Sequence, residues 1–356
     1  MATTELLLRC LEGTQNPALE IRAPAEHQLA QFSVQHGFGV ALLEIFLSPH
    51  VGMQTRQLAG LLARRFICEH WNTDRPHFRE PAVSDQHKAV MRAQLLQGLS
   101  DRDSKLCTAA CMAVVSVAQD DLPSQWPELL EHLLNELQAP TSQHVNAAMR
   151  CLVLLSEDIN QQQVAYIIGR LFPVLLHVFT STQQYSKTIR ARACTVVYKG
   201  LKVGLLLLIA PDAGDGGAHA AASASSTQYL STSQYLQHAL PSWIEVLSQA
   251  LVAPMHDEGA AELAIRIEIV KIFSVLIQMQ PQLVAPDRLV HLIHALWQGL
   301  AVAVEVYEQR VVLSRCGDTG HTADKSDVYD MLELDGDRVS PDALAWELME
   351  CVREVA

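Results

Sequence analysis

The chain has 356 residues, of which 49% are hydrophobic and 18% are charged, so intrinsic disorder is not the default expectation. Eight cysteines are too few for a disulfide scaffold, so we expect reduced core thiols in an intracellular protein. The net charge is −13, of which −8 falls in residues 301–356, and no basic stripe is present. Direct binding of nucleic acid is therefore not expected.

The N-terminal residues contain no basic segment followed by a long apolar one, so they do not form a signal peptide. The longest largely apolar stretch, 106–118, is shorter than the roughly 20 residues that a membrane span requires. We therefore expect a soluble chain with no membrane insertion.

Apolar residues recur at helical spacing along almost the whole chain. The spacing of three and four is clear at Leu58, Leu61, Leu62 and Phe66, and it returns from Val145 to Leu155. Proline-containing breaks separate these segments, and Ser84 is placed to cap the helix that follows one of them. Period-two alternation bounded by turns is scarce, so the pattern predicts an all-α protein.

A second pattern is the recurrence of a basic or amide side chain near the start of an apolar helix. It occurs at Arg22, Arg56, Lys105, Asn146, Arg190 and Arg266. The first four separations bracket the period of roughly 40–47 residues that is typical of two-helix HEAT repeats. The longer last separation contains residues 211–228, which are rich in Gly, Ala and Ser and are interpreted as a flexible insertion.

These patterns predict an all-α, right-handed HEAT-repeat (ARM-like) solenoid of antiparallel helix pairs. Each pair cannot bury its apolar face alone, and stacking on its neighbours supplies the core. We expect the second helix of each pair to line the concave side. The last helix, 341–356, has no following partner for Leu344 and Leu348, so we expect the array to continue; a helix that docks backwards as a cap is the alternative.

Signatures of enzymes and metal sites fail when they are tested. Gly37-Phe-Gly39 lacks the third glycine of a dinucleotide loop, and no Gly-x-Ser-x-Gly or Walker sequence is present. His291 and His294 supply only two ligands, too few for a zinc site. We therefore expect no catalytic residue, no bound metal and no cofactor.

Three segments resemble the N-terminal part of the importin-β (karyopherin-β) family. They are Arg22-x-x-Ala25-Glu26-x-x-Leu29; Arg56-Gln57-Leu58-Ala59 with Arg64 and Trp71 beyond it; and Val117-Ala118-x-x-Asp121-x-Pro123-x-x-Trp126-Pro127. The third string is the most specific. The resemblance covers nearly the whole chain except residues 211–228, and Pro24 inside the first of these helices is a departure from the pattern.

The resemblance implies a nuclear import receptor that shuttles between cytoplasm and nucleus through the nuclear pore. It implies binding of Ran-GTP through the N-terminal repeats, cargo on the concave face and Phe-Gly nucleoporins on the convex face. The chain is most similar to the branch that carries basic proteins, such as core histones and ribosomal proteins. Ran contacts are expected at Glu26, Arg56, Arg64 and Lys105.

The expected domain division follows from the resemblance and the breaks together. It comprises an importin N-terminal domain (1–139), further repeats (140–210), the insertion (211–228), more repeats (229–317), an acidic loop (318–340) and the start of a further helix (341–356).

Two groups of charged residues have alternative interpretations. Arg150, Arg190 and Arg192 are expected to pair with carboxylates of neighbouring repeats and form a ladder. The acidic segment is either a solvated loop or an arm that neutralises a basic cargo collectively. Its acidic residues are Asp318, Asp324, Asp327, Asp330, Glu333, Asp335 and Asp337.

The function as a whole also has an alternative. A HEAT-repeat scaffold or regulatory subunit of a cytoplasmic assembly, with no dependence on Ran, has the same hydrophobic pattern.

Overall fold

The computed structural model describes residues 2–209, 221–253 and 260–279, together with isolated positions between 290 and 353. In the three continuous ranges the chain forms helices and connecting turns, and no strand is present there. The helices are α1 (Ala2–Thr14), α2 (Leu19–Ser33), α3 (Phe38–Leu47), α4 (Met53–His70), α5 (Asp85–Gly98), α6 (Ser104–Asp121), α7 (Glu128–Leu137), α8 (Ser142–Glu157), α9 (Gln161–Thr180), α10 (Lys187–Ile209), α11 (Ala221–Val252) and α12 (Ala260–Met279).

The first compact unit, unit 1, is Met1–Asp158. Its helices pair in chain order, α1 with α2, α3 with α4, α5 with α6, and α7 with α8. The second helices α4, α6 and α8 stack on one another, and the first helices α1, α3 and α5 do the same. Unit 1 therefore has two helical layers, and its core lies between them, as the sequence predicted.

The second compact unit, unit 2, is Ile159–Ala356. In its described part α9 pairs with α10, while α11 stacks on α9 and α12 stacks on α10. Helix α9 is long and apolar enough to cross a membrane by length and composition, but half of the relevant segment is buried inside the protein. Its apolar residues, including Ile168, Leu171 and Leu175, are core residues of this unit.

The six recurring residues all lie in the second helix of a pair, within its first two turns. The predicted helix-pair period is confirmed by this placement. Pro24 lies inside α2, as the sequence indicated, with five helical residues before it. One local feature differs from expectation. Residues 221–228, assigned to the flexible insertion, form the first turns of α11, because the run Ala221-Ala222-Ser-Ala224 has high helix propensity; residues 211–220 lie outside the described part.

Three of the four recurring arginines, Arg56, Arg190 and Arg266, have a common structural role. The Arg56 Nε donates to the carbonyl of Phe46 at 2.7 Å, and the Arg190 Nε donates to the carbonyl of Phe179 at 2.7 Å. Arg266 donates to the carbonyls of Leu251 and Ala253 at 2.6 and 2.5 Å. Each acceptor lies at the C-terminal end of the preceding helix, where carbonyls lack intrahelical partners and the helix dipole favours a cation. These hydrogen bonds thus hold the second helix of a pair against the C-terminal end of the first.

Asp121, at the end of α6, joins three helices in unit 1. Its side chain is buried and accepts the Trp71 indole N–H at 3.0 Å on Oδ1. Its Oδ2 accepts Arg92 Nε and Nη2 at 2.9 and 2.7 Å. The Arg92 guanidinium and the Lys88 ammonium lie 5.8 and 5.3 Å from the centre of the Trp71 ring. This cluster, called the Asp121 junction below, explains the Asp in the most specific sequence string.

The cysteines that the structure describes are free thiols, and all but Cys68 are buried. The pKa of the Cys107 thiol is raised, first by its hydrogen bond with Cys111 and then by burial. The pKa of the Cys194 thiol is raised well above its ordinary value by burial. Thiols in this state stay protonated at neutral pH and behave as core residues, as the sequence predicted.

Candidate functional site

The four residues predicted to contact Ran all lie on second helices of unit 1. Glu26 is on α2, Arg56 and Arg64 are on α4, and Lys105 is on α6. The layer formed by α4 and α6 therefore carries three of them, and α2 carries the fourth. Their side chains fall into three different environments.

Arg56 is enclosed within the fold. Its side chain is 13% exposed, bonds the end of α3 through the Phe46 carbonyl and forms an ion pair with Asp101 in the α5–α6 connection. Through these two partners the Arg56 guanidinium stabilises the packing of α4 against the end of α3 and against the α5–α6 connection. The structure thus gives Arg56 a structural role, which the sequence did not separate from surface binding.

Arg64 and Lys105 are exposed and lie on adjacent helices. The Arg64 Nη1 lies 3.6 Å from the Met112 Sδ of α6, so Arg64 reaches across to the neighbouring helix. Lys105 precedes Met112 by seven residues, which places both on one face of α6. Leu61, 60% exposed, precedes Arg64 by one turn of α4. We call Leu61, Arg64, Lys105 and Met112 the α4–α6 patch.

The sequence analysis missed the two apolar members of this patch. Leu61 was counted with the core residues of its helix because it follows Leu58 by three positions. Met112 lies in a long apolar run, and it is partly exposed while the flanking Cys111 and Ala113 are buried. The sequence signal that could have found them is Arg64. A charged residue one turn after Leu61 indicates that this face of α4 is exposed to solvent.

Glu26 lines a groove between α2 and α4. The groove has a volume of about 410 Å³. Its apolar lining residues are Leu29, Ala30, Val34, Phe38, Leu62 and Phe66, and its polar lining residues are Glu26, Ser33, Arg65, Glu69, His70, Arg79 and Glu80. Glu26 forms an exposed ion pair with Arg22 at 3.6 Å. We call this the α2–α4 groove.

One wall of the groove is formed by the long α4–α5 connection, residues 71–84. The Arg79 amide donates to the Glu69 carbonyl at 2.7 Å, and the Arg79 guanidinium lies 3.7 Å from the Glu69 carboxylate. Further along, Arg75 forms a 2.6 Å ion pair with Asp120 of α6, and Asn72 donates to the same carboxylate at 2.9 Å. These bonds hold the connection against the ends of α4 and α6.

Two of the predicted ladder arginines donate to oxygens other than carboxylates. The Arg150 Nη1 donates to the Ser104 carbonyl at 3.1 Å and to the Thr108 hydroxyl at 3.0 Å, both in the first turns of α6. Arg190 donates to the Phe179 carbonyl at the end of α9, while Glu262 of α12 opposes the lowering of its pKa by burial. The C-terminal end of a helix favours a guanidinium as a carboxylate does, so a sequence pattern of basic residues fits both kinds of acceptor. Arg192 is buried in α10.

The predicted cargo residues, Asp318 to Asp337, lie outside the described residues. Within the described part, His, Cys, Asp and Glu side chains form no group of three that could hold a metal ion. The candidate binding surfaces that the predicted residues mark in unit 1 are the α4–α6 patch and the α2–α4 groove.

Comparison with known proteins is consistent with this conclusion. Residues 25–101 match the importin-beta N-terminal domain family, a range that runs from Ala25 of α2 to Asp101, the partner of Arg56. Importin-9 of Drosophila melanogaster is 25% identical over 287 residues, which are 79% of this chain and 26% of that protein. Importin subunit beta-5 of Schizosaccharomyces pombe is 23% identical over 340 residues, 92% of this chain and 32% of that protein.

Residues 25–101 thus match an importin-beta N-terminal domain, and the relatives that align along most of the chain are importins. The structure of yeast importin-beta (Kap95p) superposes with a TM-score of 0.62 at 14% identity, covering 99% of this chain and 41% of Kap95p. This likeness confirms the HEAT-repeat solenoid as the fold. The chain spans about a quarter to a third of the length of these two curated relatives. Importins are transport receptors and not enzymes, which agrees with the expectation that the chain has no catalytic residue.

Proposed function

We propose that this protein is a nuclear import receptor that binds GTP-loaded Ran through the α4–α6 patch and the adjoining α2–α4 groove. The supporting observation is that the residues matched by the family model overlap with the residues that form the groove and part of the patch. The importin-beta N-terminal domain match covers residues 25–101, and the same residues form the groove and supply Leu61 and Arg64 of the patch.

Related proteins provide a second line of support. In one solved structure, Kap95p binding induces the switch loops of RanGDP to adopt the GTP-bound conformation; that Kap95p chain matches this one with a TM-score of 0.54 at 14% identity. Kap95p has also been solved in complex with Nup1, with a TM-score of 0.59 to this chain at 14% identity. We extend both partner classes, Ran and nucleoporins, to this protein as part of the proposal.

The chemistry of the patch suits a protein partner with an acidic rim. Arg64 and Lys105 supply two cations on adjacent helices, with Lys105 two turns before the Met112 that Arg64 contacts, and Leu61 and Met112 supply apolar area. Cations on an exposed rim accelerate and orient association, while apolar area at the centre supplies most of the affinity. Arg56 is left out of the proposed contact because Asp101 and the Phe46 carbonyl already occupy it.

The cargo side of the proposal rests on sequence composition. Residues 318–337 carry seven acidic side chains and one lysine, with Tyr329, Leu332 and Leu334 between them. We propose that this segment binds basic cargo such as core histones or ribosomal proteins, and that the receptor shuttles between cytoplasm and nucleus. Acidic charge attracts basic proteins over a Debye length, and the interleaved apolar residues add contact area.

The Ran proposal is tested by binding of GTP-loaded and GDP-loaded Ran to the chain and to the double charge reversal Arg64→Glu with Lys105→Glu. We expect preference for the GTP form, and at least about tenfold weaker binding by the variant, because two attractive pairs become repulsive. Isothermal titration calorimetry measures both. The matched control is Arg9→Glu with Arg170→Glu, which makes the same change of charge on α1 and α9.

The possible outcomes separate the proposed function from its alternative. If the wild-type chain binds neither the GTP-loaded nor the GDP-loaded form of Ran, the result would favour the Ran-independent scaffold. Preference for Ran-GTP with equal loss in both double variants would show that net charge, rather than the α4–α6 patch, controls binding. Unchanged thermal unfolding of the patch variant would show that it is folded.

The cargo proposal predicts a change in salt dependence. Replacing the seven acidic residues of 318–337 with Asn and Gln is expected to weaken binding of a core histone and to flatten the slope of log Kd against log salt concentration, because fewer ion pairs form. Binding measured at salt concentrations between 50 and 300 mM supplies this slope. The Debye length shortens by a factor of less than about three over this range. An unchanged slope would show that the segment is a solvated spacer that does not bind the histone.

A further inference from the structure

Helix α2 buries fewer residues than α3 and α4. Of its 15 residues only Ala25 is buried, whereas seven of the ten residues of α3 and seven residues of α4 are buried. Leu19 and Ile21 of α2 are 64% and 51% exposed, and Val34, which follows the helix, is 60% exposed. A helix with so little buried apolar area opens at low cost in free energy.

Helix α2 packs against α1 and makes a close approach to it at Gly13. A methyl group on Gly13 of α1 would lie 2.8 Å from the Cβ of Ala25. One turn away, the Cys10 thiol donates to the Gln28 side-chain oxygen at 3.2 Å. The close approach thus joins the middle of α2 to the C-terminal end of α1.

The sequence of α2 adds a second weakness. Pro24 has no N–H, so the carbonyl of Glu20 loses its hydrogen bond within the helix. The helix also starts at Ala18 without a side-chain cap. The Arg22–Glu26 ion pair along the helix is exposed and therefore contributes little.

The side of α2 that faces α4 borders an unfilled space. Leu29, Ala30 and Val34 line the α2–α4 groove from α2, and Leu62 and Phe66 line it from α4. The groove volume of about 410 Å³ is large enough for several apolar side chains. Movement of α2 toward α4 would bury these residues against each other, and the hydrophobic effect favours that movement.

We infer that α2 is an independently moving helix that pivots at the Gly13–Ala25 contact and opens and closes the α2–α4 groove. The inference concerns the chain without any partner, so it stands or fails separately from Ran binding. Its direct consequence is that the amides of α2 exchange with solvent through local opening while α4 stays folded.

Hydrogen exchange followed by mass spectrometry on the 356-residue chain tests this inference. We expect protection of α2 amides at least about tenfold lower than that of α4 amides. Replacing Ala30 with Leu places a larger apolar side chain in the groove and favours the closed position. This variant is expected to raise α2 protection at least about threefold.

The matched control is Ala23→Leu, an equally exposed position of α2 that does not line the groove. It makes the same change in helix propensity and is expected to leave α2 protection within about twofold of wild type. Protection of α2 equal to that of α4 in the wild-type chain would overturn the inference. So would an equal response to Ala30→Leu and Ala23→Leu, since a fixed α2 would leave both side chains in water.

Discussion

Replacing Asp121 with alanine is expected to destabilise unit 1 by about 3–5 kcal/mol, the cost of breaking a buried ion pair by removing one partner. Asp121 is 4% exposed, and its carboxylate neutralises Arg92 while it accepts the Trp71 indole N–H. Alanine leaves a guanidinium and an indole N–H without their acceptor. Because Trp71 directly follows α4, Arg92 lies in α5 and Asp121 ends α6, the loss affects the packing of three helices together.

The isosteric change Asp121→Asn separates the contribution of charge from that of shape. The amide retains one acceptor oxygen, so we expect a smaller loss than with alanine. Urea unfolding followed by fluorescence of Trp71 and Trp126, which are both buried in unit 1, measures these changes. Asp74→Asn, at an exposed position of the α4–α5 connection, is the control and is expected to stay within about 0.5 kcal/mol of wild type. Equal stability of Asp121→Ala and the control would show that the Asp121 junction contributes nothing to folding.

Replacing Arg266 with methionine is expected to destabilise unit 2 by about 3 kcal/mol, because buried polar groups lose their hydrogen-bond partners. Arg266 is 1% exposed and donates to two carbonyls at the end of α11, and Glu262 lies 3.7 Å from its Nε. Burial lowers the pKa of the Arg266 guanidinium, and Glu262 opposes that shift. Methionine fills the space of the side chain, so the expected loss comes from the unpaired carbonyls and from Glu262.

The variant Arg266→Lys keeps the positive charge but loses the planar fork that reaches Leu251 and Ala253 together. We therefore expect it to recover only part of the lost stability. Arg170→Met, which removes an exposed arginine from α9, is the matched control. Thermal unfolding followed by circular dichroism measures all three variants. Stability of Arg266→Met equal to that of Arg170→Met would remove the proposed role of the recurring arginines as fasteners between paired helices.

The two predictions bear on function through the position of the binding surface. The α4–α6 patch lies on second helices, and Arg56 fastens α4 to α3 by the same kind of bond that Arg266 forms in unit 2. The Asp121 junction holds the ends of α4 and α6, the two helices that carry the patch. The buried polar residues thus hold in place the helices that carry the exposed ones. The effect of a mutation in either group must therefore be measured on both the free energy of unfolding and the affinity for Ran.

A large part of the fold could be predicted from the sequence, for a physical reason. A helix that buries one face requires apolar residues at spacing of three and four, and stacked pairs require the pattern to recur with a fixed period. Both requirements are local, so they can be recognised without tertiary information. The six recurring residues therefore marked second helices correctly, from Arg22 in α2 to Arg266 in α12.

The candidate site was predictable only in outline. Arg56 and Arg64 lie eight residues apart on α4, and the sequence suggested the same contact for both. The structure separates them, since Arg56 meets a helix end and a carboxylate whereas Arg64 reaches Met112 at the surface. The neighbours that decide this belong to α3, the α5–α6 connection and α6, and none of them is adjacent in sequence.

Periodicity and motifs carried within one or two helices were enough to predict the helices, their pairing and the resemblance to importins. The folded structure was needed to separate the charged residues that stabilise the fold from those that face solvent. It also showed that α2 buries a single residue and borders an open groove. Burial depends on which helices pack together and how closely, and that is a property of contacts between segments distant along the chain.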